Sequence, residues 1–158
     1  MIVEVVVEIP KYSHNKYEYD PQRGMFRLDR PLYSPVHYPG DYGFIPDTLA
    51  EDGDPLDVLI ITDHPTFPGC LVEARVIGAL VMRDEKGEDT KILAVVHNDP
   101  RTRQIHDLAD VPEHVRREIE YFFAIYKDLE GKPTAVSGWR DAAFARAEVE
   151  RARRAASR

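Results

Sequence analysis

The chain has 158 residues, 43% hydrophobic and 31% charged, enough to bury one core and too polar for a protein that lives in a bilayer. A formal net charge of −7 excludes a partner held by a basic face, so nucleic acid is not expected, and no apolar run reaches membrane-spanning length. We expect a single domain over residues 1–158.

Residues 2–9 are apolar but interrupted by Glu4 and Glu8 and lack a basic leader, which predicts a strand rather than a signal segment. Further strands are predicted at 16–20 and 25–29. Segment 31–50 reads as irregular because Pro31, Pro35, Pro39, Gly40, Gly43 and Pro46 punctuate it, while Tyr33, His37, Tyr38, Tyr42 and Phe44 give it polar and stacking groups.

Asp52-Gly53-Asp54-Pro55-Leu56-Asp57 then packs three aspartates into six residues and runs directly into the apolar strand 58–62. Carboxylates so close repel one another unless a hard divalent cation with oxygen ligands neutralises them. The spacing does not suit an EF-hand, whose fifth and sixth positions need an oxygen ligand and glycine where this chain has Leu56 and Asp57. Cys70, the single cysteine, permits no internal disulfide, so a cytoplasmic location is expected.

Strands are predicted at 71–82 and 91–97, and between them Asp84-Glu85-Lys86-Gly87-Glu88-Asp89 forms a second acidic loop followed by Lys91. If the two acidic loops face one another they can share several Mg²⁺ ions, an arrangement suited to activating water and clamping a phosphoryl group. The six histidines lack zinc-ligand spacing, and neither a glycine-rich phosphate loop nor a nucleophile elbow is present. Residues 113–128, with Val115, Ile119, Phe122 and Tyr126 on one face and Asp110 and Pro112 ahead of them, predict a helix. A second, alanine-rich helix is predicted over 141–156, with Asp141 at its start and Arg151, Arg153 and Arg154 near its end.

At Asp52–Asp57 the chain resembles the signature of the family I soluble inorganic pyrophosphatases, and other segments agree in the same order. They are Glu8 in Val-Glu-Ile-Pro, Lys16 and Glu18 in Lys-Tyr-Glu-Tyr-Asp, Arg30 in Leu-Asp-Arg, and Tyr38 and Tyr42 in His-Tyr-Pro-Gly-Asp-Tyr-Gly-Phe. Asp84 to Lys91 and Phe122 to Leu129 complete the set. The resemblance implies an α+β protein built on an OB-like five-stranded β-barrel with flanking C-terminal helices, hydrolysing pyrophosphate with Mg²⁺ through a water or hydroxide bridging two metals.

Carried over residue by residue, Asp52, Asp57 and Asp89 would hold the first metal, with Asp57 shared with a second. Asp84 and Asp89 would take a further one, and Glu18 another. Asp54 would be the general base. Lys16, Arg30, Tyr42, Lys91, Tyr126 and Lys127 would bind the phosphate groups, with Arg30, Tyr42 and Lys91 counted as catalytic beside Asp54, and Glu8, Tyr38 and Glu85 in support.

Two positions depart from the bacterial pattern. A loop lysine is missing from residues 98–103, where Arg101 or Arg103 would substitute, and a second is replaced ahead of Trp139. The resemblance also implies a homo-oligomer, a hexamer in bacterial members, with the aromatic run 121–126 compatible with a subunit contact. The competing readings are a non-catalytic divalent-cation-binding β domain and, more remotely, a phosphatase acting on organic phosphate esters. The first has no use for lysines beside its acidic loops, and the second needs an apolar pocket for its leaving group.

Overall fold

A computed structural model describes residues 1–158, and eight strands and two α-helices make up its frame. The strands are β1 (Ile2–Ile9), β2 (Asn15–Asp20), β3 (Met25–Pro31), β4 (Asp41–Phe44), β5 (Asp57–Ile61), β6 (Leu71–Asp84), β7 (Gly87–Val96) and β8 (Ala135–Arg140). The helices are α1 (Glu113–Ile125) and α2 (Ala142–Ala156). Hydrogen bonding runs β1-β4-β5-β7-β6, and β6 pairs back onto β1, so five strands close a ring. β8 is added to the far half of β6, and β2 with β3 forms a separate two-stranded sheet.

Closure depends on the length of β6. Leu71 to Arg75 pair with β1 and Ala79 to Arg83 with β8, while a register shift between Val76 and Gly78 lets the strand turn from one neighbour to the other. Residue alternation sorts the core into two sets. Val3, Val5 and Val7, Val58 and Ile60, and Ile92 and Ala94 pack with Ala145, Val149 and Ala152 of α2. Leu59, Leu93 and Val95 point the other way and pack with Ile119, Phe122 and Phe123 of α1.

The architecture expected from the sequence is the one found, with different strand membership. The predicted strands 16–20 and 25–29 leave the ring for the side hairpin, and their place is taken by β4, inside the segment expected to be irregular. A four-residue strand bounded by Pro39 and Pro46 offers almost no periodic signal. Gly43 marks it physically: a Cβ there would sit 2.0 Å from the Val6 carbonyl oxygen, so only glycine permits β4 to lie this close to β1. β8 likewise lies where no strand is predicted.

α1 ends three residues early, at Ile125, and Asp110 does not cap it. Its carboxylate accepts instead from the His106 and Asp107 amides of a preceding short turn. Asp141 does cap α2, accepting from Phe144 N at 3.0 Å. No helix is long and apolar enough to cross a membrane. In the run 121–126 only Tyr121 is strongly exposed, since Phe122, Phe123 and Tyr126 are spent on the chain's own core.

Candidate active site

A cleft of about 600 Å³ opens where the β2–β3 hairpin, the β4–β5 loop, the β6–β7 hairpin and the segment after α1 meet. Glu8, Lys16, Glu18, Tyr38, Tyr42, Asp52, Asp54, Asp57, Asp84, Asp89, Lys91, Tyr126 and Lys127 all line it. Arg30 and Glu85 are not among the lining residues. Glu85 reaches Lys127 Nζ at 3.2 Å, and Arg30 pairs across its sheet with Lys16.

β5 and β7 run parallel and carry Asp57, Asp89 and Lys91 to the same end of the ring, where β4 adds Tyr42. Lys91 Nζ lies 3.0 Å from Asp57 Oδ2 and 2.8 Å from Asp89 Oδ2, donates to the Tyr42 hydroxyl, and sits over the Tyr42 and Phe123 rings. Burial opposes its charge, but the flanking Asp57 and Asp89 carboxylates outweigh burial and hold the ammonium well above the ordinary lysine range. Burial lifts the Asp89 carboxyl above the usual aspartate range; Lys91 opposes the rise, while Asp57 adds to it. Burial also pushes the Tyr38 and Tyr42 phenols well up, so both remain protonated donors.

A second cluster repeats the design. Lys127 Nζ contacts Asp84 at 3.4 Å and Glu85 at 3.2 Å. Partial burial works against both carboxylates, but hydrogen bonds from backbone amides and the Lys127 ammonium bring them below their ordinary range. Lys127 can point here because α1 has already stopped and the chain turns through a 3₁₀ segment, Asp128–Glu130, ended by Gly131 in the left-handed region at φ 71°. Lys16 pairs with Glu18 at 2.5 Å on the opposite wall.

The donors on this surface are hard carboxylate oxygens, which fit Mg²⁺-like ions and not zinc. None of the six histidines lines the cleft. No three acidic side chains converge on one point, since Lys91 separates Asp57 from Asp89. The lysine thus already supplies part of the neutralisation these residues need.

Glu8 is a strongly perturbed carboxylate. Burial raises it from 4.5 to about 7 despite a 2.8 Å bond from Tyr19 N. Its unfolded value is the lower one, so between roughly pH 4.5 and 7 the unfolded chain releases a proton that the folded chain keeps, and stability falls as pH rises. We expect Glu8→Gln to remove this slope: in chelator, the variant should gain on the parent by on the order of 2 kcal/mol between pH 5 and 8 in urea unfolding. A constant offset across that range would show that Glu8 does not titrate there.

The sequence reading missed cleft residues as well. Lys86, at the turn of the β6–β7 hairpin, and Tyr17 and Tyr19, on β2, line it, as does Phe44. Lys86 was hidden inside a loop read for its acids, although its position between Asp84 and Asp89 carried the signal. Neither Arg101 nor Arg103 lines the cleft, and Arg101 pairs with Asp99 at 3.2 Å and Asp63 at 3.8 Å.

Comparison with known proteins points the same way. The chain is 54% identical to the inorganic pyrophosphatase of Halalkalibacterium halodurans over 141 residues, covering 89% of this chain and 86% of that one. It is 54% identical to that of Thermus thermophilus over 151 residues, covering 94% and 86%. The crystal structure of the Thermus thermophilus enzyme superposes with a TM-score of 0.97 at 51% identity, covering 99% of this chain and 92% of that one. The profile of the family described as inorganic pyrophosphatase matches residues 5–157. A closed five-stranded ring that gathers carboxylates and lysines in one cleft, in a sequence aligned with these enzymes almost end to end, makes this chain a member of the inorganic pyrophosphatase family.

Proposed function

We propose that this chain hydrolyses inorganic pyrophosphate to two orthophosphates with Mg²⁺, at the cleft between the β2–β3 and β6–β7 hairpins. The observation that carries the reading is the interleaving of the acids Asp52, Asp54, Asp57, Asp84 and Asp89 with Lys16, Lys91 and Lys127 on one surface. Pyrophosphate bears up to four negative charges, and an anionic site opposes it unless cations are close by. Asp52, Asp57, Asp84, Asp89 and Glu18 would hold the ions. When bound, they neutralise phosphate oxygens and lower the pKa of water.

The chain's own part is positioning and proton transfer. Asp54 takes a proton from the attacking water. The water oxygen bonds to one phosphorus as the bond from that phosphorus to the bridging oxygen breaks, and the departing phosphate carries away the electron pair. Lys16, Arg30, Lys91, Lys127, the protonated hydroxyl of Tyr42 and the hydroxyl of Tyr126 stabilise the charge on the phosphate groups, with Glu8, Tyr38 and Glu85 supporting them. A non-catalytic cation-binding domain would gain nothing from Lys91, whose ammonium competes directly with a bound ion for Asp57 and Asp89.

We place the whole chain in one domain, in cytoplasmic solution, as a homo-oligomer of the hexameric kind. Exposed Tyr33, Phe67, Leu71 and Tyr121 are surfaces that such an assembly could cover. Phosphate release from pyrophosphate and from a simple phosphate ester, each with Mg²⁺ and with chelator, tests the activity. We expect release only from pyrophosphate with Mg²⁺; none under that condition refutes the reading, and equal release from the ester refutes the substrate assignment.

A further inference from the structure

Glu130 lies outside the cleft, yet only 3% of its side chain is exposed and both its oxygens contact Arg30. Oε2 accepts a hydrogen bond from Arg30 Nη2 at 3.2 Å, while Oε1 makes ion-pair contacts only, 2.8 Å from Arg30 Nε and 3.9 Å from Lys132 Nζ. A carboxylate this far from water needs such a counterion, since a lone buried charge is costly, and one hydrogen bond beside a close ion-pair contact orients the guanidinium. The third guanidinium nitrogen, Nη1, is held differently. Its partner is Asp29, whose side chain is 33% exposed and whose carboxylate also lies 3.8 Å from Lys16 Nζ. Asp29 is therefore a single, exchangeable anion shared between two cations. A phosphate oxygen could take its place.

The Arg30–Glu130 contact also joins two walls of the cleft. Arg30 ends the β2–β3 sheet, which makes no strand pairing with the ring. Glu130 closes the 3₁₀ turn three residues after Lys127. Lys16 stands opposite Arg30 on one wall and Lys127 on the other, so the ion pair sets how far apart these two cations are held.

We propose that Glu130 is a positioning residue for pyrophosphate. It locks the Nε and Nη2 edge of Arg30, leaves the Nη1 edge to exchange Asp29 for a phosphate oxygen, and ties the hairpin wall to the Lys127 wall. Ordering the guanidinium in advance removes rotamer entropy that substrate binding would otherwise have to overcome. This inference rests on the reading of Arg30 as a phosphate ligand given above.

The test uses the full chain with Glu130→Gln, Arg30→Gln, the double variant, and Glu130→Asp. Steady-state kinetics on pyrophosphate at saturating Mg²⁺, calorimetric Mg²⁺ binding and thermal melting are read for each, well below every variant's melting temperature. Glu130→Gln should raise KM by about five- to tenfold with kcat changed less than about twofold and Mg²⁺ affinity unchanged. Glu130→Asp, which keeps the charge, should raise KM less, and it decides the matter if the Gln variant does not fold. The double variant should be no worse than Arg30→Gln alone, because the two residues act as one unit. A parental KM in Glu130→Gln beside a raised KM in Arg30→Gln overturns the positioning role, as does a KM rise accompanied by an equal loss of Mg²⁺ affinity. A neutral Arg30→Gln instead overturns the reading of Arg30 as a ligand.

Discussion

Lys91→Met should lower kcat/KM for pyrophosphate by about two to three orders of magnitude, the scale expected when a preorganised cation is removed from a site of charge development. The same substitution should destabilise the chain in chelator by roughly 3 kcal/mol or more, because it leaves two carboxylates facing one another without their buried counterion. Lys91 Nζ is within 3.0 Å of both Asp57 and Asp89, and its side chain is only 5% exposed, so solvent offers little compensation. Asp89 is already lifted by burial, and loss of the lysine, which opposes that rise, must lift it further. The stability deficit should therefore deepen as pH rises through the range where Asp89 loses its proton.

A divalent cation can take over the electrostatic role but not the catalytic one. Adding Mg²⁺ should thus raise the melting temperature of Lys91→Met by more than it raises that of the parent, while activity stays low. An equal or smaller gain in the variant would mean that Asp57 and Asp89 are not the groups whose charge Mg²⁺ satisfies.

The reasons why some of this was legible in the sequence and some was not are local. β1, β5, β6 and β7 announce themselves because each is a run of branched apolar residues long enough to show its alternation, and α1 and α2 because their apolar faces repeat at helical spacing. β4 does not, since four residues contain two turns' worth of proline and glycine at their borders and the strand is defined by what lies against it, the Val6 carbonyl under Gly43. The acidic loops were visible as composition, because carboxylates so dense in sequence demand a physical explanation. What neutralises them here was not visible. That Lys91 stands between Asp57 and Asp89 follows from the parallel pairing of β5 with β7, a contact between segments 34 residues apart. Arg30 with Glu130, 100 residues apart, is a still more distant example. Residue type marks the chemistry, and the closure of the ring decides which charges meet.

Asp54→Asn should produce the other large effect, and one of a different kind. Asp54 is exposed on the cleft and forms no ion pair with any of the lysines, while its own amide donates to Asp52 Oδ1 at 3.0 Å and holds the loop in shape. Asparagine preserves that backbone bond and the side-chain volume while removing the negative charge and the ability to accept a proton. If Asp54 is the base, kcat should fall by roughly two or more orders of magnitude while Mg²⁺ binding stays near the parental value. Asp57→Asn and Asp89→Asn should behave oppositely, weakening Mg²⁺ binding in calorimetry because each removes a charged oxygen donor from the Lys91 cluster. The contrast is the test. An equal loss of Mg²⁺ affinity in all three variants would assign Asp54 to the same duty as its neighbours, and the proton would then need another acceptor.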